Sequence, residues 1–262
     1  MPDRLAAPDY GIDAPGLRTG MASVGVLSLL GLVGVAFVWP MTMAPAARIA
    51  VIVLTGVAAA YGLGMSAYMT WGSRVGKLRT RDRLLEIVAA RRGWSGRENV
   101  LDVGCGRGLM AIGAAKRLTD GLAIGIDLWR AEDQSGNTPR AFLDNAAREG
   151  VEGRVRVETG DARQLALTDG SMDVVLSHWV LHNIEDEGDR RRALREIWRV
   201  LKPGGFVAIA DIAHVAAYAR ELEAIGAQVV ERDDGGIAAR LNGLLSGGTF
   251  RPEFIVAGKR EV

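Results

Sequence analysis

Two long uncharged runs near the start of the chain constrain this sequence more than any other feature. Residues 21–39 and 49–68 contain no Asp, Glu, Lys or Arg, and a connector with prolines at positions 40 and 45 separates them. A helix that crosses about 30 Å of hydrocarbon needs about 20 apolar residues. The runs therefore predict two membrane-spanning helices, at about 21–39 and 49–69. The alternative is a signal peptide plus a buried helix, but a signal core is usually only about 7–15 residues long.

Basic residues flank the predicted hairpin, residues 21–71, unequally. Those that follow the second run are Arg74, Lys77, Arg79, Arg81 and Arg83, whereas the connector contains only Arg48. An excess of Lys and Arg marks the cytoplasmic side of a membrane. We therefore expect an integral membrane protein in which residues 1–20, residues 72–262 and both termini are cytoplasmic. The same basic cluster could also meet anionic headgroups of the bilayer.

Small residues recur at four-residue spacing in the second run, at Gly56, Ala60 and Gly64. Such a stripe allows two helix backbones to approach closely in a membrane. We expect it to pack against the first run or against a second copy of the chain, which would give a homo-oligomer.

Composition excludes several classes of protein. The 32 Lys and Arg residues nearly balance 31 Asp and Glu, so the basic excess of a nucleic-acid-binding protein is missing. The 48% share of hydrophobic residues excludes a mainly disordered chain. A single cysteine excludes an intrachain disulfide and a zinc site built from several cysteines.

Within the predicted domain at 72–262, the sequence alternates between strand and helix patterns from about residue 77. The predicted strands are 99–103, 122–127, 154–158, 173–177, 206–212, 228–231 and 253–257, and Pro203 to Gly205 is expected to form a turn before the fifth. Strands separated by helices predict an α/β fold, a parallel sheet with helices on both faces. Ligands of such a sheet bind beyond the carboxyl ends of the strands.

The residues that follow the first two strands suit a nucleoside ligand. The first strand leads into a glycine-rich turn, Asp102-Val-Gly-Cys-Gly-Arg-Gly108, and Asp127 ends the second strand, 23 residues past Gly104. Glycines let the backbone approach a ligand, and a carboxylate at that distance can accept hydrogen bonds from ribose hydroxyls. A nicotinamide oxidoreductase is disfavoured, because Leu109 stands where the dinucleotide fingerprint requires glycine.

Five motifs extend this pattern in order along the chain. They are VLDVGCGRG (100–108), GIDL (125–128), GDARQL (160–165), DVVLS (173–177) and EIWRVLKPGG (196–205). Over residues 77–258 the sequence resembles the class I S-adenosylmethionine (SAM)-dependent methyltransferases, in the group that includes the ubiquinone and menaquinone C-methyltransferases. The resemblance implies a Rossmann-like, seven-stranded methyltransferase sheet and does not cover the hairpin.

The resemblance also implies the cofactor, SAM, and the residues that bind it. The methionine part would be held by Asp102 and by the loop residues Gly104, Cys105, Gly106 and Gly108. The ribose would be bound by Asp127 and the adenine by Leu128, while the adenine amino group would contact Asp161, with Ala162 beside it. The region near the methyl group would be lined by Ser177 and His178.

The three histidines of the chain all follow the fourth or fifth predicted strand. His178 and His182 are the candidate catalytic residues, since a neutral imidazole at the ligand edge can act as general base on a hydroxyl or thiol. His214 is a weaker candidate. No carboxylate cluster accompanies the histidines, so no metal site is predicted.

The segment 127–137 is polar, and it either forms a lid over the adenosine, with Trp129 and Trp179 as apolar walls, or is a solvated loop. Taken together, these features predict a membrane-anchored methyltransferase with a small-molecule or lipid acceptor: a quinone, isoprenoid, lipid or apolar thiol. The alternative is a non-catalytic SAM-binding sensor or scaffold at the membrane.

Overall fold

The structure is a computed structural model, and it describes residues 7–38, 44–245 and 251–261. These residues form two compact units. The helical unit comprises residues 11–77 and 131–135, and the α/β unit comprises the described residues of 1–10, 78–130 and 136–262.

The helical unit contains two long apolar helices, α1 (Pro15–Val33) and α2 (Pro45–Trp71), and a π-helical turn continues each of them, at Gly34–Val38 and Gly72–Gly76. Both are long and apolar enough to cross a membrane by length and composition. In the most apolar 18-residue stretch of each helix, only 11% and 17% of the stretch is buried, so neither is a core helix within the described residues. Both begin earlier than the uncharged runs do, because Pro15 and Pro45 suit the first turn of a helix.

Close packing of α1 and α2 occurs at Gly25 and Gly62. A Cβ atom added to Gly25 would lie 2.6 Å from the amide nitrogen of Leu63, and one added to Gly62 would lie 2.7 Å from the amide nitrogen of Gly25. The predicted packing of the Gly56–Gly64 stripe on the first helix is therefore wrong, since added Cβ atoms at both glycines would meet nothing within 4 Å. Packing of that stripe on a second copy remains a prediction.

Lys77 does not fit the expected role of the basic cluster at headgroups. Its side chain is only 1% exposed, and its ammonium group donates to both carboxylate oxygens of Asp13, at 3.1 and 3.0 Å, and to the carbonyl of Gly11 at 3.0 Å. Burial of a lysine requires such partners. Lys77 is therefore a structural residue of the helical unit.

The α/β unit contains a seven-stranded sheet with helices on both faces. Its strands are β1 (Asn99–Val103), β2 (Leu122–Asp127), β3 (Val155–Thr159), β4 (Met172–His178), β5 (Leu201–Asp211), β6 (Ala227–Asp233) and β7 (Glu253–Lys259). Its helices are α3 (Lys77–Arg92), which begins at the last residue of the helical unit, α4 (Leu109–Ala115), α5 (Pro139–Arg148), α6 (Glu187–Val200), α7 (Val215–Ala224) and α8 (Gly236–Leu245). One buried cluster lies under α3, α4 and α5, and another lies under α6 and α7.

The strand order is β3-β2-β1-β4-β5-β7-β6. The predicted seven-stranded α/β fold is confirmed, but the sheet is mixed rather than wholly parallel, because β7 runs antiparallel to both β5 and β6. The turn expected at Pro203–Gly205 lies within β5, and α8 was not predicted.

Register aligns the carboxyl ends of the central strands. Val103 at the end of β1 lies beside Ile126 of β2 on one side and Ser177 of β4 on the other. The residues after these strands therefore meet along one side of the sheet, called the carboxyl edge below.

Candidate active site

The glycine loop after β1 depends on backbone conformations that favour glycine. Gly104, Gly106 and Gly108 have φ angles of 71°, 50° and 89°. A Cβ atom on Gly104 would lie 2.2 Å from a methyl carbon of Val180, so the segment after β4 packs directly on this loop. The amide of Gly106 donates to Oδ2 of Asp127 at 2.8 Å, which ties the loop to the end of β2.

Asp102 lies under this loop with only 1% of its surface exposed. Its Oδ2 accepts a hydrogen bond from the amide of Ala111 at 2.8 Å, whereas its Oδ1 is buried with no hydrogen-bond partner among the described residues. Burial raises the pKa of this carboxyl to about 7, the Ala111 amide opposes that rise, and the charge of Asp127 adds to it. An acid in this position suits a cationic ligand, which would stabilise its charged form.

Ser177, like Asp102, has a buried polar atom without a hydrogen-bond partner among the described residues. Its side chain is 1% exposed, and the unpartnered atom is Oγ. It lies at the end of β4, beside Val103 of β1. Buried polar atoms are normally paired, so the orphaned atoms of Asp102 and Ser177 fit a polar ligand at this edge.

Asp127 is held in place by groups that the sequence did not reveal. Its Oδ1 accepts hydrogen bonds from the amide of Trp129 at 2.6 Å and from Nδ2 of Asn137 at 3.2 Å. Asn137 is 6% exposed and also donates to the carbonyl of Arg130 at 3.3 Å. These bonds fix the carboxylate at the carboxyl edge, where a ribose contact remains a prediction.

The residues predicted around the adenine occupy different environments. Leu128 is 46% exposed directly after β2, and Ala162 packs against the core. Asp161 pairs with Arg163, which also binds Asp189, each at 2.6 Å. Hydrogen bonding from Arg163 holds the pKa of Asp161 below its usual range despite some desolvation. Its carboxylate is therefore an anion in an ion-pair chain, and its contact with adenine stays a prediction.

Cys105 is a packing residue of the glycine loop. Its side chain is 4% exposed, and a Cβ atom on Gly125 would lie 2.7 Å from its Sγ. Burial, with the charges of Asp102 and Asp127, raises the pKa of this thiol well above its usual value. The thiol is thus neutral and unreactive.

Three residues at the carboxyl edge have left-handed backbone conformations, which are rare for residues other than glycine. Trp129, Trp179 and His214 have φ angles of 62°, 57° and 63°, and they follow β2, β4 and β5. Strain of this kind clusters at functional sites. The indole of Trp129 donates to Oγ1 of Thr159 at 2.9 Å, and the ring of Trp179 stacks on His178 at 4.9 Å between centroids.

His182 forms a dyad with Asp211, a residue that the sequence analysis placed inside a strand. The Nδ1 atom of His182 lies 2.5 Å from Oδ1 of Asp211, whose side chain is fully buried. Asp211 also accepts hydrogen bonds from the amides of His182 and Ile212, at 3.0 and 2.8 Å, and from the hydroxyl of Tyr218 at 3.3 Å. An anion beside Nδ1 favours the tautomer whose Nε2 can accept a proton.

His214 is less suited to acting as the base. Burial and the charge of Arg190 lower the pKa of this imidazole, although Asp211 opposes the shift. It lies at the start of α7, with its ring 6.4 Å from that of Tyr218.

The described N-terminal residues of the α/β unit pack on the glycine loop, which sequence patterns did not indicate. Arg107 donates to the carbonyl of Asp9 at 2.7 Å and to its carboxylate at 2.8 Å. Asn145 of α5 donates to the carbonyls of Asp9 and Arg107, at 2.8 and 2.9 Å. The ring of Tyr10 is buried, and its hydroxyl donates to Glu149 at 3.2 Å.

Comparison with known proteins relates this unit to methyltransferases. Residues 101–209 match the sequence model of a family described as "Methyltransferase domain". The 27-O-demethylrifamycin SV methyltransferase of Amycolatopsis mediterranei (strain S699) is 34% identical over 160 residues, which make up 61% of this chain and 53% of that protein. The chain spans about half the length of the curated relatives it matches.

Solved structures share the fold. A putative sarcosine dimethylglycine methyltransferase from Galdieria sulphuraria has a TM-score of 0.54 at 15% identity, covering 74% of this chain and 88% of that one. A putative SAM-dependent methyltransferase from Methanococcus maripaludis has a TM-score of 0.52 at 18% identity, covering 75% and 92%.

Residues 101–209 of the α/β unit therefore match a methyltransferase domain in sequence, and the unit shares its fold with a putative SAM-dependent methyltransferase of known structure. These matches support the superfamily, and with it the cofactor SAM, that the five sequence motifs indicated. The narrower group of quinone C-methyltransferases remains a prediction.

Proposed function

We propose that this protein is a membrane-anchored enzyme that methylates a hydroxyl group of a small lipophilic acceptor, with His182 as general base. The observation that carries the proposal is the pairing of His182 with the buried Asp211, on the segment that packs against the glycine loop. The name of the Amycolatopsis relative describes methylation of an oxygen atom, and an acceptor hydroxyl must lose its proton during such a transfer.

In this proposal, one group of residues binds the cofactor and another accepts the proton of the acceptor hydroxyl. Bound SAM supplies a methyl group on a sulfonium sulfur, which is already an activated donor. Asp102, the glycine loop and Asp127 would hold it at the carboxyl edge. His182 would receive the acceptor proton at Nε2, while Asp211 stabilises the imidazolium that forms.

Membrane attachment is supported by the exposed apolar surface of α1 and α2. The side chains of Leu27 and Leu30 on α1 are 68% and 62% exposed, and those of Ile49 and Leu54 on α2 are 63% and 68% exposed. An apolar surface of this extent marks an interaction with membrane or protein. A bilayer would cover these faces and would concentrate a lipophilic acceptor near the domain.

A labelling experiment tests the chemistry. The full chain, purified in detergent, is incubated with methyl-labelled SAM and a total membrane lipid extract, and SAM affinity is measured by calorimetry. We expect label transfer by the wild-type chain and a loss of at least about 100-fold for His182→Ala, with little change in SAM affinity. His214→Asn is the matched control, because asparagine tolerates the left-handed backbone, and it should retain most activity.

Two outcomes would contradict this proposal. Intact SAM binding without any label transfer by the wild-type chain would favour the non-catalytic sensor. Full activity of His182→Ala would contradict the assignment of His182 as general base. Attachment is tested separately, because an integral protein stays in the membrane pellet after carbonate extraction, whereas a peripheral protein is released.

A further inference from the structure

Helix α8 presents three apolar side chains outward. Ile237, Leu241 and Leu244 are 85%, 53% and 79% exposed. Their spacing of four and three residues places them on one face of the helix. Ala239, on the opposite side, is 3% exposed, and a Cβ atom on the neighbouring Gly235 would touch it. Among the apolar side chains that the structure describes in this helix, alanine therefore faces the domain, whereas isoleucine and leucine face outward, the reverse of an ordinary surface helix.

This helix begins at the carboxyl edge of the sheet. Asp233, the last residue of β6, pairs with Phe254 of β7, which pairs in turn with Ala210 of β5. After α8 the chain returns at Arg251, whose amide donates to the carbonyl of Ile212 at 2.7 Å, next to Asp211 of the dyad. The apolar face thus belongs to the segment that borders the proposed acceptor site.

We propose that α8 is an interfacial membrane helix that inserts Ile237, Leu241 and Leu244 into the bilayer surface beside the acceptor site. A ten-residue helix is about 15 Å long, too short to span a bilayer, but suited to lie in its interface. The inference deepens the proposed function and rests on its membrane attachment, since α1 and α2 would keep a bilayer always within reach.

A second copy of the chain is a less suitable occupant of this face. A stable protein interface buries about 800 Å² on each partner, contributed by about 20–30 residues. Three side chains on a ten-residue helix fall well short of that. A bilayer sets no such threshold, because insertion of each apolar side chain is favourable by itself.

Lipid-dependent quenching tests this placement in the full chain, reconstituted in nanodiscs of phosphatidylcholine and phosphatidylglycerol. Single cysteines at Leu244→Cys, Asp120→Cys and Leu27→Cys carry an environment-sensitive maleimide dye. The native Cys105 is buried and has a raised pKa, so the wild-type chain should take up no dye. Asp120, which is 74% exposed just before β2, lies at the opposite edge of the sheet.

We expect lipids with a doxyl group near the headgroup to quench the dye at position 244 several-fold more strongly than the dye at 120, with the reverse order for aqueous iodide. Equal lipid quenching at 244 and 120 would overturn the inference. Protection of position 244 from both quenchers would also overturn it, because that result indicates a protein contact.

The dye at Leu27 on α1 separates this inference from the proposed function. Quenching by lipids at position 27 but not at 244 would support the membrane anchor and refute the interfacial placement of α8. Absence of lipid quenching at both positions would refute the membrane anchor and the interfacial placement of α8.

A functional variant gives a second readout. Ile237→Ser combined with Leu244→Ser changes only exposed side chains, so folding and SAM affinity should persist. Label transfer to acceptors presented in lipid vesicles should fall several-fold. Unchanged transfer would contradict a role of α8 at the bilayer.

Discussion

The imidazole of His182 and the carboxylate of Asp211 form a pair 29 residues apart in sequence, with Nδ1 and Oδ1 separated by 2.5 Å. The pair exists because β4 and β5 are neighbours and both end at the carboxyl edge. Asp211 is fully buried, and amides and a tyrosine hydroxyl supply its other hydrogen bonds. Asp211 is therefore a positioning residue that acts on the acceptor through His182.

Asp211→Asn should reduce label transfer by about 100-fold or more while leaving SAM affinity nearly unchanged. The amide cannot stabilise an imidazolium, and it can favour the wrong tautomer of His182. Tyr218→Phe is the matched control, since it removes one hydrogen bond to Asp211 without touching His182, and its effect should be within a few-fold. Comparable losses in the two variants would indicate that Asp211 is only structural.

Asp127→Ala should weaken SAM binding by about 10- to 100-fold, measured by calorimetry. Charge-assisted hydrogen bonds to the ribose would be lost, and the amides of Gly106 and Trp129 would lose their acceptor. Asn137→Ala, which removes a single bond to Asp127, should have a smaller effect. An unchanged dissociation constant for Asp127→Ala would refute the ribose assignment.

The sequence predicted the sheet and its ligand edge, because short apolar strands and glycine turns are local signals. It missed Asp211, since an acid that ends an apolar strand looks like part of that strand. It missed the contact between Arg107 and Asp9, because 98 residues separate the partners. It also missed α8, because the run is only ten residues long and contains Gly236 and Gly243, which disfavour a helix.

Asp102→Asn should remove a pH dependence of stability in the cofactor-free chain. The folded state raises the pKa of this carboxyl from 3.8 to about 7, so the unfolded chain loses the proton first as pH rises. The stabilising contribution is full below about pH 4 and is lost as the pH rises through about 7, by at most on the order of 4 kcal/mol. Melting temperatures at about pH 5 and pH 8 should diverge more for the wild-type chain than for the variant. Equal divergence would mean that Asp102 is not the titrating group.

Gly62→Ala should destabilise the pairing of α1 with α2, whereas Gly64→Ala should not. Both substitutions add one methyl group to the same helix. At position 62 that carbon would lie 2.7 Å from backbone atoms of Gly25 and Met21, but at 64 it would meet nothing within 4 Å. The helices would have to move apart and lose the contacts between them, as overpacked interfaces do. Thermal melting and limited proteolysis of the full chain in detergent measure the difference, and an equal or larger loss for Gly64→Ala would mean that the helices pair through the stripe at 56, 60 and 64.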